Sequence, residues 1–266
     1  TEAGIDPNSL YDLQESGEWT WEKWEEIMAT VQRDTNNDGV IDVYGFTMNN
    51  GNLPNYLVAA NGGEFIGKEN GKFVYKLENP ETVAALEECV KLFENYLLPQ
   101  PEGAQWDAYK ECFKSAQAAF MPEDAYAMTA GNFLYDMEDD FGFVCIPKGP
   151  NKSDYTNIYS NNPAAIPACY DDEKAWKIAF AYQLFYASVP GYEDYEGWKS
   201  GYYNGARDTD TVDKTLVRMM NNGMITYHGV IPNLKLGEDL TWGISAGAVV
   251  SEKIEAIAET WKAYVD

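Results

Sequence analysis

The chain has 266 residues, enough for one large domain or two modest ones. Its 19 Lys and Arg stand against 43 Asp and Glu, and the resulting net charge of −24 repels phosphate backbones and anionic lipid headgroups, so nucleic acid and membrane surfaces are poor partners while neutral or cationic ligands are favoured. Hydrophobic residues at 45% suffice for a real core, no apolar run reaches the ~18 residues of a membrane span, and a single histidine excludes a histidine pair or a His-rich metal site.

In chain order, residues 1–7 read as a helix tail entering a loop, with Gly4 as the stop, and they carry no signal-peptide pattern. Thr20 is placed to cap a helix over 21–33, with Trp21, Trp24, Ile27, Met28 and Val31 on one stripe. A polar loop, 34–42, precedes a short strand at 44–48. An Asn/Gly/Pro-rich stretch then leads to an apolar segment ending at Asn61-Gly62-Gly63, and residues 65–66 and 72–77 form a hairpin. Asn79-Pro80 opens a helix whose Val83, Leu86, Val90, Phe93 and Leu97 keep helical spacing. A helix over 105–116 and strands at 118–121, 141–146 and 164–167 follow, then a helix from Asp172 to Ala187 and an aromatic, glycine-punctuated loop over 192–204. Two last helices span about 208–222 and 251–265, capped by Asp208 and Ser251. Interleaved strands and helices give an α/β fold.

The segment Asp34-Thr-Asn36-Asn-Asp38-Gly39-Val40-Ile-Asp42 sets oxygen donors at positions 1, 3, 5 and 9 with glycine at 6, the opening of a calcium loop. Gly45 stands where the bidentate glutamate of an EF-hand belongs, so a full EF-hand is ruled out. A structural Ca2+ held by Asp34, Asn36, Asp38, Val40 and Asp42 and a loop braced only by its own Asx turns both remain open. No other cofactor is called for. Cys89, Cys112, Cys145 and Cys169 form no CxxC and read as buried free thiols. His228 reads as structural.

The chain has 8 Trp and 19 Tyr, many beside Gly, Asn and Pro. Aromatic faces suit the C–H surface of a pyranose while Asn and Asp bond its hydroxyls. Trp24, Phe93 and Trp176, at helical spacing, are expected in the core. Tyr126, Tyr159 and Trp242, in presumed loops, are divided between core and ligand. The many carboxylates allow a glycosidase pair anywhere and specify none, and neither a phosphate loop nor a nucleophile elbow occurs.

Several segments, in consistent order, resemble the extracellular solute-binding proteins of bacterial sugar ABC transporters. They are Gly17-Glu-Trp-Thr-Trp-Glu, Asp34 to Phe46, Ala59-Ala-Asn61-Gly62-Gly63-Glu-Phe, Phe113 to Met121, Phe141 to Pro150, and Ala165-Ile-Pro167 to Trp176. The resemblance, of the maltose-binding kind, implies a periplasmic-binding-protein type II fold of two α/β lobes on a hinge, lacking much of the first lobe. Residues 1–155 would form the main part of the second lobe, 156–190 a segment returning to the first, and 191–266 the remainder of the second. It also implies ligand-binding roles for Asn50, Asn52, Tyr126, Tyr159, Asn161 and Trp242, and it favours calcium in the Asp-rich loop.

The expected function is capture of a sugar or oligosaccharide in the interlobe cleft and delivery to a membrane permease. The expected protein is a monomer without enzymatic activity, outside the cell as a surface lipoprotein or in the periplasm, touching the membrane only through an N-terminal lipid anchor beyond this sequence. The rival readings are a glycan-active hydrolase or lyase, a carbohydrate-adhesion or sensor module, and a carrier of a non-sugar solute such as a polyamine or peptide.

Overall fold

The computed structural model describes residues 3–159, 164–193 and 195–266. Helix α1, Ser9–Ser16, was not foreseen, because the residues it buries are Tyr11 and Gln14 rather than an apolar stripe. It ends at Gly17, whose φ of 77° is the left-handed conformation of a helix stop. Helix α2, Trp21–Val31, begins where expected, Thr20 Oγ1 accepting from Lys23 N at 3.3 Å, and it buries the whole predicted stripe.

Strand β1, Tyr44–Phe46, leads through a single 3-10 turn at Asn50–Asn52 into α3, Leu53–Ala60, with Pro54 in its first turn. Strands β2, Ile66–Glu69, and β3, Lys72–Tyr75, pair antiparallel, Ile66 opposite Tyr75. Asn70 and Gly71 both have positive φ, which matches the tight two-residue turn to the twist of the strands. Helix α4, Pro80–Tyr96, buries Thr82, Ala85, Leu86, Cys89 and Leu92, while the expected Val83, Val90, Phe93 and Leu97 pack at the margin of the core. Its buried face is therefore rotated by about one residue from the predicted one.

Helix α5, Tyr109–Lys114, is shorter than expected, and strand β4, Ala118–Phe120, pairs parallel with β1. Residues 141–147 are not a strand. Side chains of α1 take two of their amides instead, Phe143 N donating to Tyr11 Oη at 3.2 Å and Cys145 N to Gln14 Oε1 at 2.7 Å. Residues 164–167 are not a strand either, since no strand pairs with them among the described residues.

Strand β5, Asn157–Ile158, is followed by α6, Asp172–Tyr186, capped by Asp171 Oδ1 accepting from Lys174 N at 2.8 Å. The expected loop over 192–204 contains a helix, α7, Gly197–Tyr203. A π-wound turn, Thr211–Leu216, continues into α8, Val217–Asn221, and Asp208 Oδ1 accepts from Thr211 N ahead of it, the cap the sequence suggested. Strand β6, Gly223–Met224, pairs parallel with β5. Another π-wound turn, Gly237–Thr241, runs into α9, Trp242–Ser245. Helix α10, Val250–Val265, starts one residue before the expected cap, so Ser251 sits inside its first turn.

One large core joins α2, α3, α4, β1, α9 and α10, with Trp24, 2% exposed, between Phe46 and Phe120. A smaller cluster around Met128, Leu134 and Met137 lies beside it. Helix α6 stands apart from both. Trp176, expected in the core, is 63% exposed, because the helix that carries it buries none of its residues among the described ones. Cys89, Cys112 and Cys145 are buried free thiols as expected; Cys169, just before α6, is exposed. Among the described residues no helix is long and apolar enough to cross a membrane.

Candidate functional site

Two strand ends set the site. After β4 the chain continues through Met121 and Pro122 to Glu123, Asp124 and a 3-10 turn, Ala125–Met128, that carries Tyr126. After β5 comes Tyr159, whose backbone N–H continues the pairing by donating to Met224 O at 3.0 Å. Both strands belong to parallel pairs, and the carboxyl ends of such strands are where α/β folds bind ligands.

Tyr159 is seated on a glycine. A Cβ at Gly223 would lie 2.0 Å from Tyr159 Cζ, so the ring occupies the space that any side chain there would need. Its hydroxyl donates to Met220 O at 2.7 Å, fixing the ring's direction.

Tyr126 and Tyr159 face one cavity of about 520 Å3, to which Tyr56 of α3 and Trp198 and Tyr202 of α7 add aromatic surface. Leu216, Met219 and Met220 make it more apolar, and Glu123 and Asp124 give it two carboxylates. Its volume lies within the range of ligand pockets, ~300–1,000 Å3. A recess of about 120 Å3 shares Glu123, Ile146, Asn157 and Met219 with it and reaches toward Trp19 and Trp24.

Each carboxylate is held by a tyrosine. Tyr109 Oη donates to Glu123 Oε2 at 2.8 Å, and Tyr56 Oη donates to Asp124 Oδ1 at 3.3 Å. Burial pushes both tyrosine hydroxyls above their ordinary range, and the neighbouring carboxylate charges push the same way, so both stay protonated as donors. The Tyr126 hydroxyl is raised by the same causes in the same order.

The remaining sequence-derived positions fall elsewhere. Asn50 and Asn52 flank Gly51, where a Cβ would meet Trp242 Cδ1 at 3.1 Å, and a Cβ at Gly237 would meet Trp242 Cε2 at 2.9 Å. The Trp242 indole thus lies against two bare backbones beside the asparagines, in a patch of its own. Asn52 is one helical turn before Tyr56, which links this patch to the cavity wall. Asn161 lies outside the described residues. Sequence reasoning missed Tyr56, Glu123, Asp124, Trp198 and Tyr202. For Glu123 and Asp124 the signal was their place directly after a short strand.

The Asp-rich loop is away from this cavity and satisfies its own polar groups. Asp34 Oδ1 accepts from Asn37 N at 2.7 Å and Oδ2 from Gly39 N at 2.7 Å; Asn36 Oδ1 accepts from Asp38 N, Asp38 Oδ1 from Val40 N, and Asp42 Oδ2 from Thr35 N. The Thr35 hydrogen bonds hold the Asp42 carboxyl below its usual range. No three acidic, histidine or cysteine side chains converge as a metal site among the described residues. Asx turns account for the loop's shape.

His228 stands edge-on to Phe65 at 6.0 Å between ring centres, and burial lowers its pKa below the ordinary 6.5. This is a packing role, away from the cavity.

No protein-family model matches the chain, and no curated protein matches it. Solved structures do. The maltose/maltodextrin-binding domain MalE from Bdellovibrio bacteriovorus bound to maltotriose matches with a TM-score of 0.63 at 17% identity, over 90% of this chain and 65% of that one. The fold is that of a type II periplasmic binding protein. UgpB from Mycobacterium tuberculosis in complex with glycerophosphocholine gives a TM-score of 0.59 at 16% identity, over 93% of this chain and 64% of that one. An ABC transporter solute-binding protein from Thermotoga lettingae bound with α-D-tagatose gives 0.57 at 16% identity, over 93% and 64%. The chain spans less than two thirds of the length of each of these.

Proposed function

We propose that the chain is the substrate-binding component of an ABC importer, which captures a sugar or oligosaccharide and hands it unchanged to a membrane permease. The observation that carries this reading is the cavity itself: five aromatic side chains and two oriented carboxylates at the carboxyl ends of parallel strands. Aromatic faces cover the apolar side of a sugar ring, while carboxylates and amides take its hydroxyls. The fold supports the reading, since two of the similar structures hold saccharides. Work as a carrier places the protein outside the cell, on the surface or in the periplasm.

Residues 1–155 and 191–266 form one lobe in this proposal, and 156–190 belong to the other. The bare, apolar surface of α6 supports that division, because a helix hydrophobic all round is made to be covered. Ligand contacts made only when the lobes close would shift the population toward the closed state.

The test is a thermal-shift panel of mono- and oligosaccharides, with and without calcium, followed by mass analysis of the recovered sugar. Binding to the native state alone adds about 2.7 kcal/mol at a hundredfold excess over Kd, several degrees in midpoint. A shift with one sugar class and intact sugar afterwards is the expected result. Cleaved sugar would replace the carrier with a hydrolase or lyase, and no shift with any sugar would remove the sugar assignment.

A further inference from the structure

The cavity has an unbalanced charge. Glu123 and Asp124 stand on its wall, and no lysine, arginine or histidine lines it among the described residues. Among the described residues neither has a salt-bridge partner: their side-chain donors are the neutral hydroxyls of Tyr109 and Tyr56. A hydroxyl donor orients a carboxylate without cancelling its charge. The aromatic faces of Tyr126 and Tyr159 add negative quadrupoles to the same space, while the Trp198 ring already has Lys199 Nζ over it at 5.8 Å from its centre. The net charge of −24 extends that field to the surroundings of the site.

Such a site repels anions and gains most from a cation. A neutral polyol could satisfy the hydrogen bonds but would bring no counter-charge to part-buried Glu123 and exposed Asp124. A primary ammonium uses every feature together: its N–H groups meet the free lone pairs of the carboxylates, and its charge sits over the rings. We infer that the ligand of this cavity carries a protonated amine beside Glu123 and Asp124. This rests on the cavity being the binding site proposed above. The amine belongs to an amino sugar or to an aliphatic polyamine.

The test is calorimetric titration of the chain with three probes: the β-1,4-linked glucosamine dimer, its neutral counterpart cellobiose, and spermidine. The inference expects at least one amine probe to bind about tenfold or more tighter than cellobiose, with an affinity that falls as salt is raised. The variants Glu123→Gln and Asp124→Asn should each remove most of that preference while melting within a degree or two of the parent. The bound amine probe names the source, sugar or polyamine. Cellobiose binding as tightly as the amines, or tighter, would overturn the inference and leave the sugar-carrier reading standing. A preference that survives both substitutions would also overturn it. Binding of none of the three would overturn it together with the assignment of this cavity as the site.

Discussion

At the scale of single residues, two side chains show how local geometry reaches the site. Gly223 leaves room for the ring of Tyr159, so Gly223→Ala should push that ring out of place. We expect about tenfold weaker ligand binding from the lost stacking, with a small change in melting midpoint, since the far end of a side chain can move. Unchanged affinity in a titration would mean that Tyr159 does not touch the ligand. Gln14 is fully buried and bridges Cys145 N to Thr215 Oγ1. Gln14→Ala strands a buried amide, and denaturant titration should register a loss of about 1–3 kcal/mol. His228 sets a pH dependence whose sign follows from its burial. Its folded pKa is depressed below 6.5, so the stability it contributes is present above pH 6.5 and is lost as pH falls through the folded value. His228→Gln should flatten the midpoint-against-pH curve below pH 6.5, and a variant that keeps the parent's slope would assign that slope to other groups.

At the scale of elements, the helices with a clear apolar period were legible in the sequence. Thr20 before α2 and Asn79-Pro80 before α4 mark real starts, α6 begins at Asp172 as expected, and the expected hairpin is the β2–β3 pair. What escaped was structure held by polar groups. Helix α1 buries a tyrosine and a glutamine, and two amides of residues 141–147 are satisfied by those same side chains, so no alternation or helical period could separate the two cases. Helix α7 carries Gly197 and Gly201, which read as loop, yet it brings Trp198 and Tyr202 to the cavity. Of the site, Tyr126 and Tyr159 were legible as loop-placed aromatics. Glu123 and Asp124 were lost among 43 acidic residues until the strand end singled them out. Helix α6 shows the opposite failure: its sequence says buried and its surroundings say exposed. Phe185 is 81% exposed, so Phe185→Ser should leave the melting midpoint of this chain unchanged. A fall of several degrees would show that the helix is covered in solution.

At the scale of the whole molecule, the proposed carrier of an uncharged or cationic ligand draws on the net charge of −24, the binding-protein fold and the aromatic cavity. The core that supports the cavity comes from α2, α3, α4 and α10, and it does not include α6. In the proposed site, ligand binding depends on the wall formed by α3, α7, α8 and the two strand ends. The most direct measurement is the equilibrium affinity of the chain for a saccharide series, compared with Tyr126→Ala in the same cell. We predict measurable binding of at least one member and a loss of about tenfold in the variant, the worth of one stacked aromatic. Saccharide binding of equal strength in the parent and in Tyr126→Ala would place the ligand elsewhere and contradict the assignment of this cavity.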